Sequence, residues 1–303
     1  MDVLYNRYRG IGLPAGASAA TEGLVIDPAE PRALLRRCPA AAPTAMRNMP
    51  GAAATLGVGA LWIKDETHRM GLGSFKALGA AYVIAREATR RVDGPDAPGS
   101  VEELRRALEG SVYACASAGN HGLSAAAGAR IFGARAVIYL AEAVPEAFAE
   151  RLRGHGAEVV RPGGDYESAM ARVAEDAERE GWVLLSDSSW PGYTELPMRV
   201  MEGYLAMGVE IVETCEVPPT HIVLQAGVGG LAAAMTSWFR RTWGDAPTII
   251  VVEPEAAPAL IESIRAGGSV ATGGPASTMG RLDCKEPSLL ALALVRTGIT
   301  LAL

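Results

Sequence analysis

Apolar positions along this chain follow two rhythms that take turns. Short, nearly continuous apolar runs at 112–116, 134–140, 157–161 and 182–186 alternate with a small-residue stretch at 121–132 and with stretches at 145–155 and 166–179, where apolar residues recur every three or four positions. The first rhythm is that of a buried strand and the second that of a helix. Pro145 suits the first turn of its helix, where a missing N–H is no loss. The alternation resumes further on, with helices predicted over 196–214, 231–243, 257–266 and 288–297 and strands over 221–225 and 248–253. Strands separated by helices predict a parallel sheet with right-handed crossovers, and therefore an α/β fold.

Upstream the rhythm is weaker. Residues 1–45 are rich in Gly, Pro, Ala and Arg with little periodicity, which predicts a surface arm carrying one short helix near 31–37. A strand over 61–64 leads to a helix predicted from 74 to about 90, and 91–100, with Pro95 and Pro98, reads as a loop. No internal repeat joins the two α/β sections, whose boundaries fall near residues 76 and 196.

Composition narrows the class. A chain of 303 residues buries a large core as one domain or two lobes. It is 49% hydrophobic with 6% aromatics, so the core is built from Ala, Val, Leu and Ile, as suits helices packed on a parallel sheet. The net charge of -6 argues against nucleic acid or an anionic membrane as partner. No apolar run reaches the ~18 uninterrupted residues of a membrane span, and the first residues lack the basic-then-apolar order of a signal peptide. Cys38, Cys115, Cys215 and Cys284 form no C-x-x-C pair, and no His/Cys cluster has metal-ligand spacing. Reduced thiols, a cytoplasmic location and no metal are the expectation.

Candidate chemistry centres on Lys76, at the end of Gly71-Leu72-Gly73-Ser74-Phe75-Lys76 and just before the small apolar run 77–85. Most lysines are solvated surface charges. One that starts a buried helix has its pKa lowered by desolvation and by the helix N-terminus, and a neutral amine can bond an aldehyde cofactor and later take a proton from a substrate carbon. Ser117-Ala118-Gly119-Asn120-His121-Gly122 stands where a strand gives way to a helix, which makes it either an ordinary cap or an anion cradle of amides. Gly227-Val228-Gly229-Gly230-Leu231 has the same placement. It lacks the lysine of a P-loop and the spacing of a dinucleotide turn, leaving a cradle for a single phosphate or a packing role. An aldehyde, a ring hydroxyl and one phosphate would use all three sites, and pyridoxal 5'-phosphate has those groups.

On Ser74-Phe75-Lys76, 117–122 and 227–230 the sequence resembles the fold-type-II pyridoxal-phosphate enzymes, a group that includes threonine synthase, the serine and threonine dehydratases and cysteine synthase. Lys64-Asp65-Glu66, Ser186-Asp187-Ser188-Ser189-Trp190-Pro191-Gly192-Tyr193, 197–204 and Gln225-Ala226-Gly227 bring it nearest to the diaminopropionate ammonia-lyases. The resemblance implies a two-lobed, three-layer parallel-sheet fold like that of the tryptophan synthase β-subunit. Residues 1–75 and 197–303 would form the large lobe and 76–196 the small one. It further implies a homodimer acting on a small amino acid.

By the same resemblance Lys76 is the catalytic residue, bonding the cofactor and taking the substrate α-proton, with Phe75 against the ring. Asn120 meets the ring hydroxyl, and Gly227, Val228, Gly229, Gly230 and Leu231 hold the phosphate. Ser117, Ala118, Gly119 and His121 line the substrate carboxylate, and Asp187 faces the substrate amine. The implied reaction is α,β-elimination of ammonia, taking 2,3-diaminopropionate to pyruvate. A serine/threonine dehydratase-like lyase or a truncated non-catalytic relative are the alternatives. Two departures stand out. Ala118 occupies the place where the ammonia-lyases carry an aspartate that serves the D isomer. The group also continues past the position of Leu303, through the part that supplies the partner of the pyridine nitrogen.

Overall fold

A computed structural model describes residues 3–10, 26–93 and 99–303. From the N-terminus, β1 (Leu4–Tyr5) is followed by α1 (Ala29–Arg36), and β2 (Met46–Asn48) and β3 (Trp62–Lys64) form an antiparallel pair around α2 (Pro50–Leu56). A 3-10 turn, Phe75–Leu78, precedes α3 (Ala80–Val92) and α4 (Val101–Arg106). The first α/β section then runs β4 (Val112–Ala116), α5 (Asn120–Ile131), β5 (Arg135–Tyr139), α6 (Glu146–Gly154), β6 (Glu158–Val160), α7 (Tyr166–Glu180) and β7 (Val183–Leu184). The second runs α8 (Glu195–Thr214), β8 (His221–Gln225), α9 (Gly230–Trp243), β9 (Thr248–Val252), α10 (Ala259–Ala266), α11 (Leu289–Gly298) and β10 (Leu301–Ala302).

These strands make two separate four-stranded sheets. One has the order β6-β5-β4-β7 and is parallel throughout. The other has the order β1-β10-β9-β8, parallel except for β1 at its edge. Every residue of β4 is buried, as expected for a central strand covered on both faces. The architecture is the α/β one that the alternating rhythm predicts.

The N-terminal segment differs from the expected arm. Leu4 pairs with Ala302, and the buried Asn6 amide donates to the carbonyls of Arg296 (2.7 Å) and Ile299 (3.0 Å), so this end is stitched into the sheet. Strands of two residues are too short to show a period. The predicted helix near 31–37 is α1, whereas residues 11–25 of the arm and 94–98 of the predicted loop lie outside the described residues.

The helix predicted from 74 is also split. Lys76 stands on the 3-10 turn, ahead of the first turn of α3. This turn is pressed onto α8 at Gly203, where a Cβ would lie 2.0 Å from the Leu78 carbonyl oxygen. A Cβ at Gly79 would lie 2.7 Å from the Tyr204 ring. Two glycines thus allow backbone-to-helix contact and fix the height of Lys76 above α8.

Candidate active site

The carboxyl ends of β4, β7 and β8 all lead into one cleft, the usual place for ligands in parallel α/β sheets. β4 delivers the 117–120 turn, β7 delivers Ser186 and Asp187, and β8 delivers the glycine turn at 227–230. Lys76 enters from the 3-10 turn, whose start is held by the Ser74 hydroxyl accepting from the Lys76 N–H at 3.2 Å.

The loop before it is fastened by buried charge. Arg69 is 0% exposed, and its guanidinium donates to Glu66 (2.7 Å) and to both oxygens of Glu210 on α8 (2.7 and 2.8 Å). Lys64 adds a second cation at 2.6 Å from Glu210. Asp65 pairs with Arg47 and accepts from Thr67. The carboxylates of 65 and 66 therefore serve loop structure. Met70 takes a left-handed conformation (φ 50°), as do the flanking Gly71 (70°) and Gly73 (78°), which lets the chain turn sharply toward Lys76.

Lys76 Nζ forms an ion pair with Asp187 Oδ2 on the cleft floor, the two side chains being 24% and 21% exposed. Burial pushes the lysine pKa down, but the adjacent carboxylate outweighs it and the net direction is up. Asp187 moves oppositely: burial raises it, and Lys76 together with His121 brings it well below the ordinary carboxylate range. The expectation of a lysine already neutral through burial and a helix N-terminus is therefore corrected. The paired carboxylate keeps the amine charged, and no α-helix begins at Lys76.

Around this pair stand groups with unused hydrogen-bonding capacity. His121 is buried and its Nε2 donates to the Leu185 carbonyl at 2.7 Å. Its Nδ1 lies 4.0 Å from Asp187 Oδ2 and has no hydrogen-bond partner. The Tyr204 hydroxyl, buried beside Lys76, likewise lacks a bonded partner of ordinary geometry, and burial raises it to about 12. Phe75 packs edge-on against Tyr204 at 5.1 Å, with Lys76 Nζ 5.8 Å from its ring centre. The Asn120 side chain makes no hydrogen bond among the described residues.

The glycine turn is built tightly. Gly229 has φ 97°, and a Cβ there would lie 3.0 Å from Leu260 and 3.1 Å from Ala291. At Gly227 it would lie 2.9 Å from Cys284 Sγ, and at Gly230 within ordinary contact of Met201, Asp187 and Tyr204. The Gly230 contact sets the turn beside the Lys76–Asp187 pair. Val228 is already engaged: its carbonyl accepts from Ser288 N (2.9 Å) and its N–H faces Cys284. Ser288 in turn binds Ser189 Oγ at 2.7 Å, locking the turn to the end of β7. The first-turn amides of α9, Gly230 and Leu231 among them, have no intrahelical partner and form an anion seat at a helix N-terminus.

A small molecule with an aldehyde, a ring hydroxyl and a phosphate fits this set. The cradle leaves no room for side chains at 227 and 229, and two buried polar atoms without partners, His121 Nδ1 and the Tyr204 hydroxyl, stand near the Lys76 amine. The structure brings Phe75, Lys76, His121, Asp187 and Gly230 together, while Asn120 opens α5 and residues 227–231 lead into α9. His121 contributes its ring as well as its amide, and Val228 has a structural engagement of its own. The sequence reading missed Tyr204, hidden in an apolar helix that reads as core, and Arg281 and Cys284, which lie in a segment without periodicity. Among the described residues no His, Cys, Asp or Glu cluster could hold a metal ion, and no helix is long and apolar enough to cross a membrane.

Comparison with known proteins agrees with this geometry. The family described as pyridoxal-phosphate dependent enzyme matches residues 38–302. The chain is 34% identical over 274 residues to the diaminopropionate ammonia-lyase of Salmonella typhimurium, covering 86% of this chain and 68% of that protein. It is 32% identical over 264 residues to the Escherichia coli (strain K12) enzyme of the same name, covering 85% and 66% respectively. It thus spans about two thirds of the length of these relatives. The crystal structure of the Escherichia coli diaminopropionate ammonia lyase in complex with D-serine superposes with a TM-score of 0.86 at 28% identity, over 99% of this chain and 76% of that one. The chain belongs to the pyridoxal-phosphate dependent enzyme family, with the fold-type-II architecture and among its ammonia-lyases.

Proposed function

We propose that this protein eliminates ammonia from a small amino acid by α,β-elimination, with 2,3-diaminopropionate as substrate. One water is consumed, pyruvate forms, and an ammonia is released from each amine-bearing carbon. The observation that carries this reading is the Lys76–Asp187 pair on the floor of a cleft bordered by two amide turns at helix N-termini. The cofactor, when bound, supplies an electron sink for the negative charge that develops at the substrate Cα.

The residues divide the remaining work. Amides of the 227–231 turn hold the phosphate, Asn120 the ring hydroxyl, and Phe75 one side of the ring. Asp187 keeps Lys76 charged in the resting protein, so it is also the base within reach of the proton that Lys76 must lose before bonding the aldehyde. Lys76 Nζ would serve as the base for the substrate α-proton, and Asp187 would face the substrate ammonium. Amides of Ser117, Gly119 and His121 take the substrate carboxylate. Ala118 adds a methyl group at this turn and no acid, which favours L-substrates and keeps serine/threonine dehydratase chemistry as the second reading. The same reading places the small lobe at 76–196, around the β6-β5-β4-β7 sheet, and the large lobe in 1–75 and 197–303.

The test is spectroscopic and kinetic. Cofactor added to the purified protein should give the visible absorption band of a lysine-bound pyridoxal group, and Lys76→Ala should abolish it. Pyruvate and ammonia release should be faster from diaminopropionate than from serine or threonine. A band that survives Lys76→Ala, or faster release from the hydroxyamino acids, sinks this assignment.

A further inference from the structure

Between α10 and α11 the chain lays a strap across the cleft mouth. Its backbone belongs to the β9 side: the Lys285 ammonium donates to the carbonyls of Ala256 and Pro275, Thr272 N donates to the Lys285 carbonyl at 2.7 Å, and Ser277 N donates to Asp283 at 3.1 Å. Leu282 and Cys284 cover Gly227, as the contacts at that glycine show. Arg281 reaches the other way. Its guanidinium lies on Gly119 so closely that a Cβ there would stand 2.5 Å from Nη1, and its Cζ is 5.2 Å from the ring centre of Phe148 on α6.

This guanidinium has no hydrogen bond or ion pair among the described residues. It sits at the head of α5, where the helix dipole is already positive and the first amides lack partners. Asp283, its near neighbour in sequence, is held by Lys285 at 2.8 Å, and Asp187 is held by Lys76. In the same first turn the His121 ring, 4% exposed, keeps Nδ1 without a partner. A cation placed on the positive end of a helix, steadied by an aromatic face and lacking a counter-charge, is an arrangement that an incoming anion completes.

We propose that Arg281 is a specificity-determining residue that clamps the substrate α-carboxylate against the 117–120 turn. It thereby joins the strap to the opposite side of the cleft whenever an amino acid is bound. The inference rests on the reading of that turn as the carboxylate seat. The amides supply direction, and the guanidinium supplies charge and a planar pair of donors.

The experiment compares glycine, which has the carboxylate and amine but no leaving group, with glycinamide, which lacks the carboxylate. Dissociation constants for both are measured calorimetrically on the cofactor-loaded protein, wild type and variant. Arg281→Gln should reduce the preference for glycine about tenfold, the equivalent of roughly 1.4 kcal/mol, and Arg281→Lys should recover part of it. Because the readout is a ratio within one protein, a general loss of folding or cofactor does not mimic it. An unchanged ratio in Arg281→Gln overturns the clamp and leaves the lyase reading standing. A wild-type protein that takes up no cofactor overturns that reading, and the clamp with it.

Discussion

Gly229→Ala is the substitution whose effect can be worked out most directly from the cradle. Gly229 holds φ 97° as the residue preceding α9, a conformation that costs an L-residue roughly 1–2 kcal/mol. The added methyl would also stand 3.0 Å from Leu260 and 3.1 Å from Ala291, both 0% exposed and unable to swing into solvent. Overpacking of this kind costs about 1–3 kcal/mol. The expected loss is therefore about 2–5 kcal/mol out of a typical total of roughly 5–15 kcal/mol. Gly230→Ala is the internal control. Its methyl would meet Met201 at 3.6 Å and Asp187 and Tyr204 at 3.9 Å, ordinary contact distances, and its φ is not positive. At the first helical position it should leave stability unchanged or raise it by up to about 1 kcal/mol. Urea unfolding of both variants without cofactor, compared at constant m-value, measures the difference. A Gly229→Ala protein within about 1 kcal/mol of wild type, or equal losses in the two variants, would refute the account of the cradle.

Three further outcomes are expected. Asp187→Asn leaves burial as the dominant influence on Lys76, so the pH midpoint for cofactor attachment should fall by about 1–3 units, and a midpoint that stays or rises counts against the pairing. Arg69→Met strips Glu66 and Glu210 of a fully buried partner and should lower unfolding stability by about 3–5 kcal/mol, with Lys64 as the cation left to Glu210. Burial pushes the Glu253 carboxyl up to about 7 from an ordinary 4.5, even though it accepts the N–H groups of Leu260 and Ile261. The folded protein then binds the extra proton across that window, so stability drops as pH rises through it, by an amount on the order of 3 kcal/mol. Glu253→Gln should flatten this part of the stability–pH curve, and an unaltered slope would contradict the shift.

How much of this was legible in the sequence depended on the length over which each cause acts. The alternation from β4 to α9 was readable because its helices and the five-residue strands β4, β5 and β8 repeat their period within the chain itself, while the two residues of β7 sit inside the longer apolar run 182–186. β1 and β10 hold two residues each and exist through pairing with each other and with β9. α4 carried a readable signal, the Ser100–Glu103 capping box, that hydrophobic rhythm alone passes over. In the site, the identity of Lys76 was legible from its glycine-rich approach and its apolar sequel. Its charge was not, since Asp187 lies 111 residues away and only folding brings it into contact. The glycines of the 227–230 turn announced a close approach, but the neighbours they accommodate, Cys284, Leu260 and Ala291, come from segments that sequence spacing cannot align.

The contact between Gly119 and Arg281 has a consequence for how this sequence can change over time. A Cβ at 119 would stand 2.5 Å from Nη1 of Arg281, the far end of an exposed and flexible side chain, so a residue larger than glycine at 119 displaces the guanidinium from the turn, and a shortened 281 leaves 119 open to substitution. They should therefore drift as a pair across lineages. A library that varies the cleft mouth one position at a time would miss the productive combinations.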